Sequence, residues 1–196
     1  NTKRIRLGTG IVVLPLNHPL RVAEDFAFLD HLSNGRVDLG VGRGYQPLEF
    51  ARYGVDQTST RAQFDEALRV IQQAWTRGRV DFEGEHYRFS LLPPFFNPGP
   101  IDHPHVPLYV AAVNPYMARL AGELCDGLRL HPIATFRYTR DVIMPAIAEG
   151  LAKNGRATVS VDHFKTTLDN IAPTTGSLIA EYRDQWLAHP NDLVPG

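Results

Sequence analysis

Cysteine is almost missing from this 196-residue chain: Cys125 is its only one. No intrachain disulfide can form, and a reducing cytoplasm suits such a composition. Neither charge is in excess, with 20 Lys and Arg against 21 Asp and Glu. That removes the electrostatic case for nucleic acid or an anionic membrane as a partner. No apolar run approaches the ~20 residues that span a bilayer, and no signal-peptide pattern opens the chain. The eight histidines are scattered, without His-x-x-x-His or a related spacing, so no metal site is expected. An initiator methionine is lacking too; the start Asn1-Thr2-Lys3-Arg4 predicts a piece of something longer. What remains is an ordinary globular composition, 43% hydrophobic and 21% charged, long enough to bury a sizeable core.

Apolar periodicity divides the chain into alternating strands and helices. Ile5 to Leu14 reads as a strand buried on both faces, interrupted by Gly8-Thr9-Gly10, where a bulge or close backbone approach is expected. Pro19 opens a helix with Val22, Ala23, Phe26, Leu29 and Leu32 on one face, stopped at Asn34-Gly35. Val37–Val41 is the next strand, followed by a long loop from Gly42 to Thr58 of the kind that often carries function. Ser59 or Thr60 caps a helix with Phe64, Ala67, Leu68, Ile71, Ala74 and Trp75 at three-and-four spacing, ending at Gly78. Val80 to Phe89 predicts a hairpin turning at Glu83-Gly84-Glu85, and the proline-rich stretch 93–107 predicts a loop. Then come a strand over Leu108–Ala112, a helix over Tyr116–Leu124, a strand over Leu128–His131 and a helix over Phe136–Lys153. Val159–Phe164 is the last expected strand, and residues 165–196 form a C-terminal segment of unassigned role. Such alternation argues for an α/β fold with a parallel sheet. A complete (β/α)8 barrel needs ~250 residues, so four or five βα units form either part of a barrel or a smaller open sheet.

The organising stretch is Ser33-Asn34-Gly35-Arg36-Val37-Asp38-Leu39-Gly40-Val41-Gly42-Arg43-Gly44-Tyr45. A helix stops, a short strand runs, and the backbone opens between glycines with a fixed guanidinium at the opening. Glycines allow close approach to the main chain and arginine suits oxyanions, so this strand end is expected to hold an anionic cofactor.

Residues 7–64 resemble the bacterial luciferase family of flavin-dependent monooxygenases. The resemblance is carried by Gly8-Thr9-Gly10-Ile11-Val12-Val13-Leu14-Pro15, His18-Pro19-Leu20-Arg21-Val22-Ala23-Glu24-Asp25, Leu29-Asp30-His31-Leu32-Ser33-Asn34-Gly35-Arg36 and Gly40-Val41-Gly42-Arg43-Gly44-Tyr45. It continues through Gly84-Glu85-His86-Tyr87, Pro107–Ala112 and Asp126-Gly127, and fades after about Arg156. It implies a (β/α)8 TIM barrel that is incomplete here, residues 1–164 starting at about the third strand, with the cofactor at the carboxyl ends of the strands.

The resemblance also implies roles for particular residues. Gly10-Ile11 matches a non-prolyl cis peptide that supports the middle ring of the flavin. Arg43 matches an arginine facing the reactive side of the flavin or its phosphate, and Arg61 one that grips the phosphate. Val113 and Asn114 fall where the family places backbone amides and a short polar side chain on that phosphate; the valine excludes a polar side-chain contact from its own position. Gly42 stands where bacterial luciferase has a reactive cysteine, so thiol chemistry is not implied. His131, before Pro132 at a strand end, is a candidate general acid or base, the common role of an imidazole in catalysis, although a histidine so placed is more often structural. Tyr45, Phe50 and Tyr53 either line a substrate pocket or pack their loop, and Tyr87 and Phe89 carry the same choice.

The activity so implied is oxygenation of a small organic substrate by reduced FMN and O2, with the FMN supplied by a separate NAD(P)H-dependent reductase and a homodimer as the full-length form. A deazaflavin (coenzyme F-420)-dependent hydride-transfer dehydrogenase is the alternative on the same barrel. A non-catalytic partner subunit is the third reading.

Overall fold

The computed structural model describes residues 2–77, 79–91, 105–131 and 134–153. The expected strand at 159–164, the boundary at 164 with the segment beyond it, the stop at Gly78 and most of the 93–107 loop lie outside the described residues. The chain forms two units, one of the residues up to Ala111 with Leu124–Arg129, the other of Ala112–Glu123 with those from Leu130 onward.

The first unit is built on a parallel sheet. The strand expected over Ile5–Leu14 is two short pieces, β1 (Leu7–Gly8) and β2 (Val12–Val13), both paired in parallel with β3 (Val37–Gly42). Gly8 pairs with Asp38 and Val12 with Val41, so four steps on one side face three on the other, a one-residue bulge. The Thr9 hydroxyl fills the gap: it donates to the Gly40 carbonyl at 2.8 Å and accepts the Gly40 N–H at 2.9 Å. A side chain thus completes the ladder where the backbone has shifted out of register. Ile5 and Leu7 are 59% and 51% exposed, correcting the expectation of burial on both faces, because β1 ends the path β1-β3-β6-β7. Here β6 is Leu108–Ala112 and β7 is Gly127–Leu130.

Helix α1 (Pro19–Ser33) buries Val22, Ala23, Phe26, Ala27, Asp30 and Ser33. Leu29 and Leu32 are exposed, contrary to expectation. The buried stripe keeps helical spacing but passes through two polar residues, which an apolar pattern does not count. Asn34 and Gly35 both take positive φ, and the Gly35 N–H donates to the Asp30 carbonyl, so the helix closes in the left-handed conformation expected. Helix α2 (Pro47–Tyr53) lies inside the expected loop. Proline at its first residue and left-handed Gly54 just past its end are the signals that mark it. Helix α3 (Thr60–Thr76) buries every apolar residue expected and lies against α1. The Trp75 indole N–H donates to the Ala23 carbonyl at 3.0 Å in the buried contact. The hairpin, β4 (Val80–Glu83) with β5 (Arg88–Leu91), is antiparallel as expected.

The second unit carries α4 (Pro115–Leu124), α5 (Phe136–Tyr138), a π-helical turn over Thr139–Ile143 and α6 (Met144–Lys153). Periodicity predicts one continuous helix from Phe136, and the π turn interrupts it. Pro145 has no N–H and its ring crowds the carbonyl four residues earlier; the wider π turn just ahead of it accommodates that loss. Helices α4 and α6 meet at two glycines: a Cβ on Gly122 would overlap the Ile147 carbonyl, and one on Gly150 the Arg119 carbonyl. Arg119 to Glu149 at 2.7 Å and Lys153 to Glu123 at 3.5 Å flank that contact.

Candidate functional site

In the first unit the expected residues gather at the carboxyl end of β3. The Gly10–Ile11 peptide is cis, immediately before β2. The Ile11 side chain lies over Gly42, where a Cβ would overlap its Cδ1. Glycine at 42 therefore does more than omit a thiol; it makes the space in which Ile11 sits. Arg43, half-buried, leaves the end of β3 and its Nη1 reaches the Thr60 hydroxyl at 3.4 Å. Thr60 is the first residue of the 17-residue α3 and is fully buried. Its hydroxyl donates to the Gln57 carbonyl at 2.8 Å, leaving its lone pairs toward Arg43. Ser59 stands at the N-cap position without a side-chain cap bond, so the capping expected of it does not occur. Arg61 is exposed on the first turn of the same helix.

This places a guanidinium, a second arginine and the amino end of a long helix together at a parallel strand end. Unpaired N–H groups and the helix dipole favour an anion there, and guanidinium forks suit phosphate oxygens. Of the loop aromatics, Phe50 is buried at 1% exposure and packs with Val13 around Gly44, whereas Tyr45 and Tyr53 are 76% and 67% exposed. Tyr87 and Phe89 stack at 6.1 Å and both meet the His18 ring edge-on, so they pack the hairpin.

In the second unit Val113, Asn114 and His131 are also close. Asn114 accepts the Met117 N–H on Oδ1 at 3.0 Å and so caps α4, which commits that oxygen. Val113 is 54% exposed, and its carbonyl accepts the Tyr138 O–H at 3.0 Å. His131 is exposed, and its carbonyl accepts the Ala134 N–H. A cavity of about 250 Å³ is lined by Ala112, Val113, His131, Ala134, Thr135, Tyr138 and Ile143. It is mostly apolar, with His131, Thr135 and Tyr138 as the polar residues of its lining. Sequence reasoning missed Thr60 as the partner of Arg43, and Thr135 and Tyr138 altogether. Their i,i+3 spacing at a helix start was a weak signal that one pattern of apolar residues does not contain.

Among the described residues no group of three or more His, Cys, Asp and Glu side chains is placed to hold a metal ion. No described helix is long and apolar enough to cross a membrane.

Parallel strands joined by helices, with anion-suited groups at a strand's carboxyl end, are the architecture of the βα-barrel class. The chain belongs to the luciferase-like monooxygenase family, whose model matches residues 1–192, and its α/β sheet is an incomplete barrel of that type. It is 36% identical over 168 residues to an F420-dependent glucose-6-phosphate dehydrogenase of Nocardia farcinica, covering 83% of this chain and 49% of that protein. Among solved structures it is similar to the monooxygenase RslO1 from Streptomyces bottropensis, at 30% identity and TM-score 0.71, covering 81% of this chain and 48% of that one. An F420-dependent secondary alcohol dehydrogenase in complex with an F420-acetone adduct matches at 28% identity and TM-score 0.66, covering 80% and 47%. The chain thus spans about half the length of the relatives it matches.

Proposed function

We propose that the protein works as an oxidoreductase on a bound flavin-type cofactor, with reduced FMN and O2 oxidising a small organic substrate as the leading reading. The observation that carries it is Arg43 reaching Thr60 at the first turn of α3, with Arg61 one residue on. The residues present fit a phosphate-bearing cofactor: a half-buried guanidinium and an exposed one stand at the start of a 17-residue helix whose first turn holds no acidic residue. When bound, the cofactor supplies the electron transfer, and the protein supplies binding, orientation and electrostatics. In this reading Arg43 and Arg61 bind the phosphate or the electron-rich edge of the ring, and Gly10-Ile11 backs the ring. His131 moves a proton to or from a substrate in the cavity it lines. A separate NAD(P)H-dependent reductase supplies reduced FMN, and the full-length enzyme is a homodimer.

A second reading, hydride transfer by deazaflavin F420, is favoured by the names of three relatives at 35–37% identity, each an F420-dependent glucose-6-phosphate dehydrogenase. Titrating the protein with FMN and with F420 separates the two by which cofactor changes its absorbance and fluorescence. Saturable FMN binding, weakened roughly tenfold or more by Arg43→Ala through loss of a charged hydrogen-bond donor, is the expected result. Binding of F420 with none of FMN overturns the leading reading in favour of the second, and binding of neither overturns both.

A further inference from the structure

The two glycines Gly8 and Gly40, on neighbouring strands of the first unit, share an unusual feature: both are overlain by one long side chain from β7. A Cβ on Gly8 would lie 2.5 Å from Nη2 of Arg129, and one on Gly40 would lie 3.0 Å from its Nε. Along β3 the buried residues Val37, Leu39 and Val41 alternate with Asp38, Gly40 and Gly42, so Arg129 lies on the face opposite that apolar row. Its guanidinium carbon stands 5.3 Å from the centroid of the Tyr109 ring, a cation–π arrangement. The missing side chain at 8 is space this guanidinium occupies, while at 40 the Thr9 carbonyl stands closest and the guanidinium next to it.

What Arg129 lacks is an acceptor. Its Nε is closed to solvent, and no oxygen among the described residues accepts its hydrogen. The nearby carboxylates are committed elsewhere. Asp38 takes Arg6 in a forked pair, at 3.0 and 3.1 Å from Nε and 2.5 Å from Nη2. Asp126 accepts the Leu108 N–H at 2.8 Å and faces His105 at 3.5 Å. A buried donor left without a partner is costly, and the rest of this half-buried guanidinium, which overlies Gly8, is not closed to an incoming anion.

We propose that Arg129 anchors a binding site for a small carboxylate on this face of the sheet. The planar guanidinium fork matches the two oxygens of a carboxylate, and the Tyr109 ring walls one side. The Tyr109 hydroxyl is kept protonated, and so a donor, chiefly by burial, with Asp38 and Asp126 adding to the shift and Arg6 and Arg129 opposing it. None of these residues belongs to the groups assigned above to the flavin-type cofactor, so the site stands or falls independently of that reading.

The test is an NMR titration of the whole chain labelled at its arginine nitrogens, using sodium formate as the probe, with chloride and inorganic phosphate as controls at equal ionic strength. The Arg129 Nε–Hε signal, assigned by its loss in Arg129→Gln, is expected to move saturably with formate and not with chloride. Gly8 and Gly40 amide signals should move with it, and those shifts should vanish in Arg129→Gln. Arg129→Lys, which keeps the charge and the bulk but not the fork, should bind formate roughly tenfold more weakly. It also serves as the test should the glutamine variant not fold. An Arg129 signal that ignores formate, or answers chloride equally, overturns the proposal. So does saturation by phosphate at lower concentration than formate. A signal already at its hydrogen-bonded position without added anion overturns it too, since an acceptor from the chain itself would then fill the site.

Discussion

Glu66 on α3 holds the β4–β5 hairpin by a single carboxylate. It accepts the backbone N–H groups of Glu85, His86 and Tyr87 at 2.8, 2.9 and 3.0 Å. Room for it comes from Gly84, where a Cβ would lie 2.5 Å from the Glu66 carboxyl carbon. Burial by itself pushes the carboxyl pKa up, but the three donors outweigh it and hold it below the usual range. Hydrogen bonds to a charged group contribute ~1.5–3 kcal/mol each when well buried. This turn is partly exposed and water competes, so about 2 kcal/mol for the three together is the reasonable expectation. Amide exchange at 85–87 should then accelerate roughly thirtyfold in Glu66→Ala, and by less in Glu66→Gln, which keeps one neutral acceptor. Gly84→Ala should produce most of the same loss by displacing the carboxylate, and adding it to Glu66→Ala should cost little more, since both remove one interaction. The sign with pH follows from the lowered folded pKa. The contribution is fully present above the unfolded value of about 4.3 and is lost as pH falls through the folded one. Protection of these amides that is unchanged in Glu66→Ala, or additive losses in the double variant, would refute the reasoning.

Gly40→Ala and Gly42→Ala should differ, although both sit on β3. A Cβ at 40 meets the Thr9 carbonyl, which is backbone, while one at 42 meets the tip of the Ile11 side chain; denaturant unfolding should give losses of about 3 and about 1 kcal/mol. Gly150→Ala should lower stability by about 2–3 kcal/mol, because its Cβ falls on the Arg119 carbonyl and forces α4 and α6 apart; an unchanged melting curve would mean the helices do not touch there. Trp75→Phe should cost about 2 kcal/mol from the lost indole donor to Ala23 and the vacated volume, read as an earlier urea midpoint with unchanged slope.

Much of the fold is legible in the order of residues alone. Every apolar residue read onto the buried face of α3 is buried there, because a helix packed on one side writes its environment into a 3.6-residue period. On α1 the same period misplaces Leu29 and Leu32, since Asp30 and Ser33 hold the stripe and their polarity hides them. Helix α2 is marked by Pro47 and Gly54, but a seven-residue helix is too short for periodicity to show it. Arg43 is legible as a cation at a strand end; that Thr60 receives it is not.

The sequence by itself determined the alternation of strand and helix, the left-handed stop at Asn34-Gly35, and the motifs that place the chain in its family. Local spacing and backbone stereochemistry carry those, and they act over a few residues. Only the tertiary structure decided what stands opposite each position. Thr9 replaces a ladder bond at Gly40, Glu66 holds a turn twenty residues away, and Gly8 gives way to Arg129. A glycine looks the same in sequence whether it turns the chain, admits a neighbour or serves nothing. Its reason lies in the atoms brought against it, and those are chosen by packing across the sheet rather than by order along the chain.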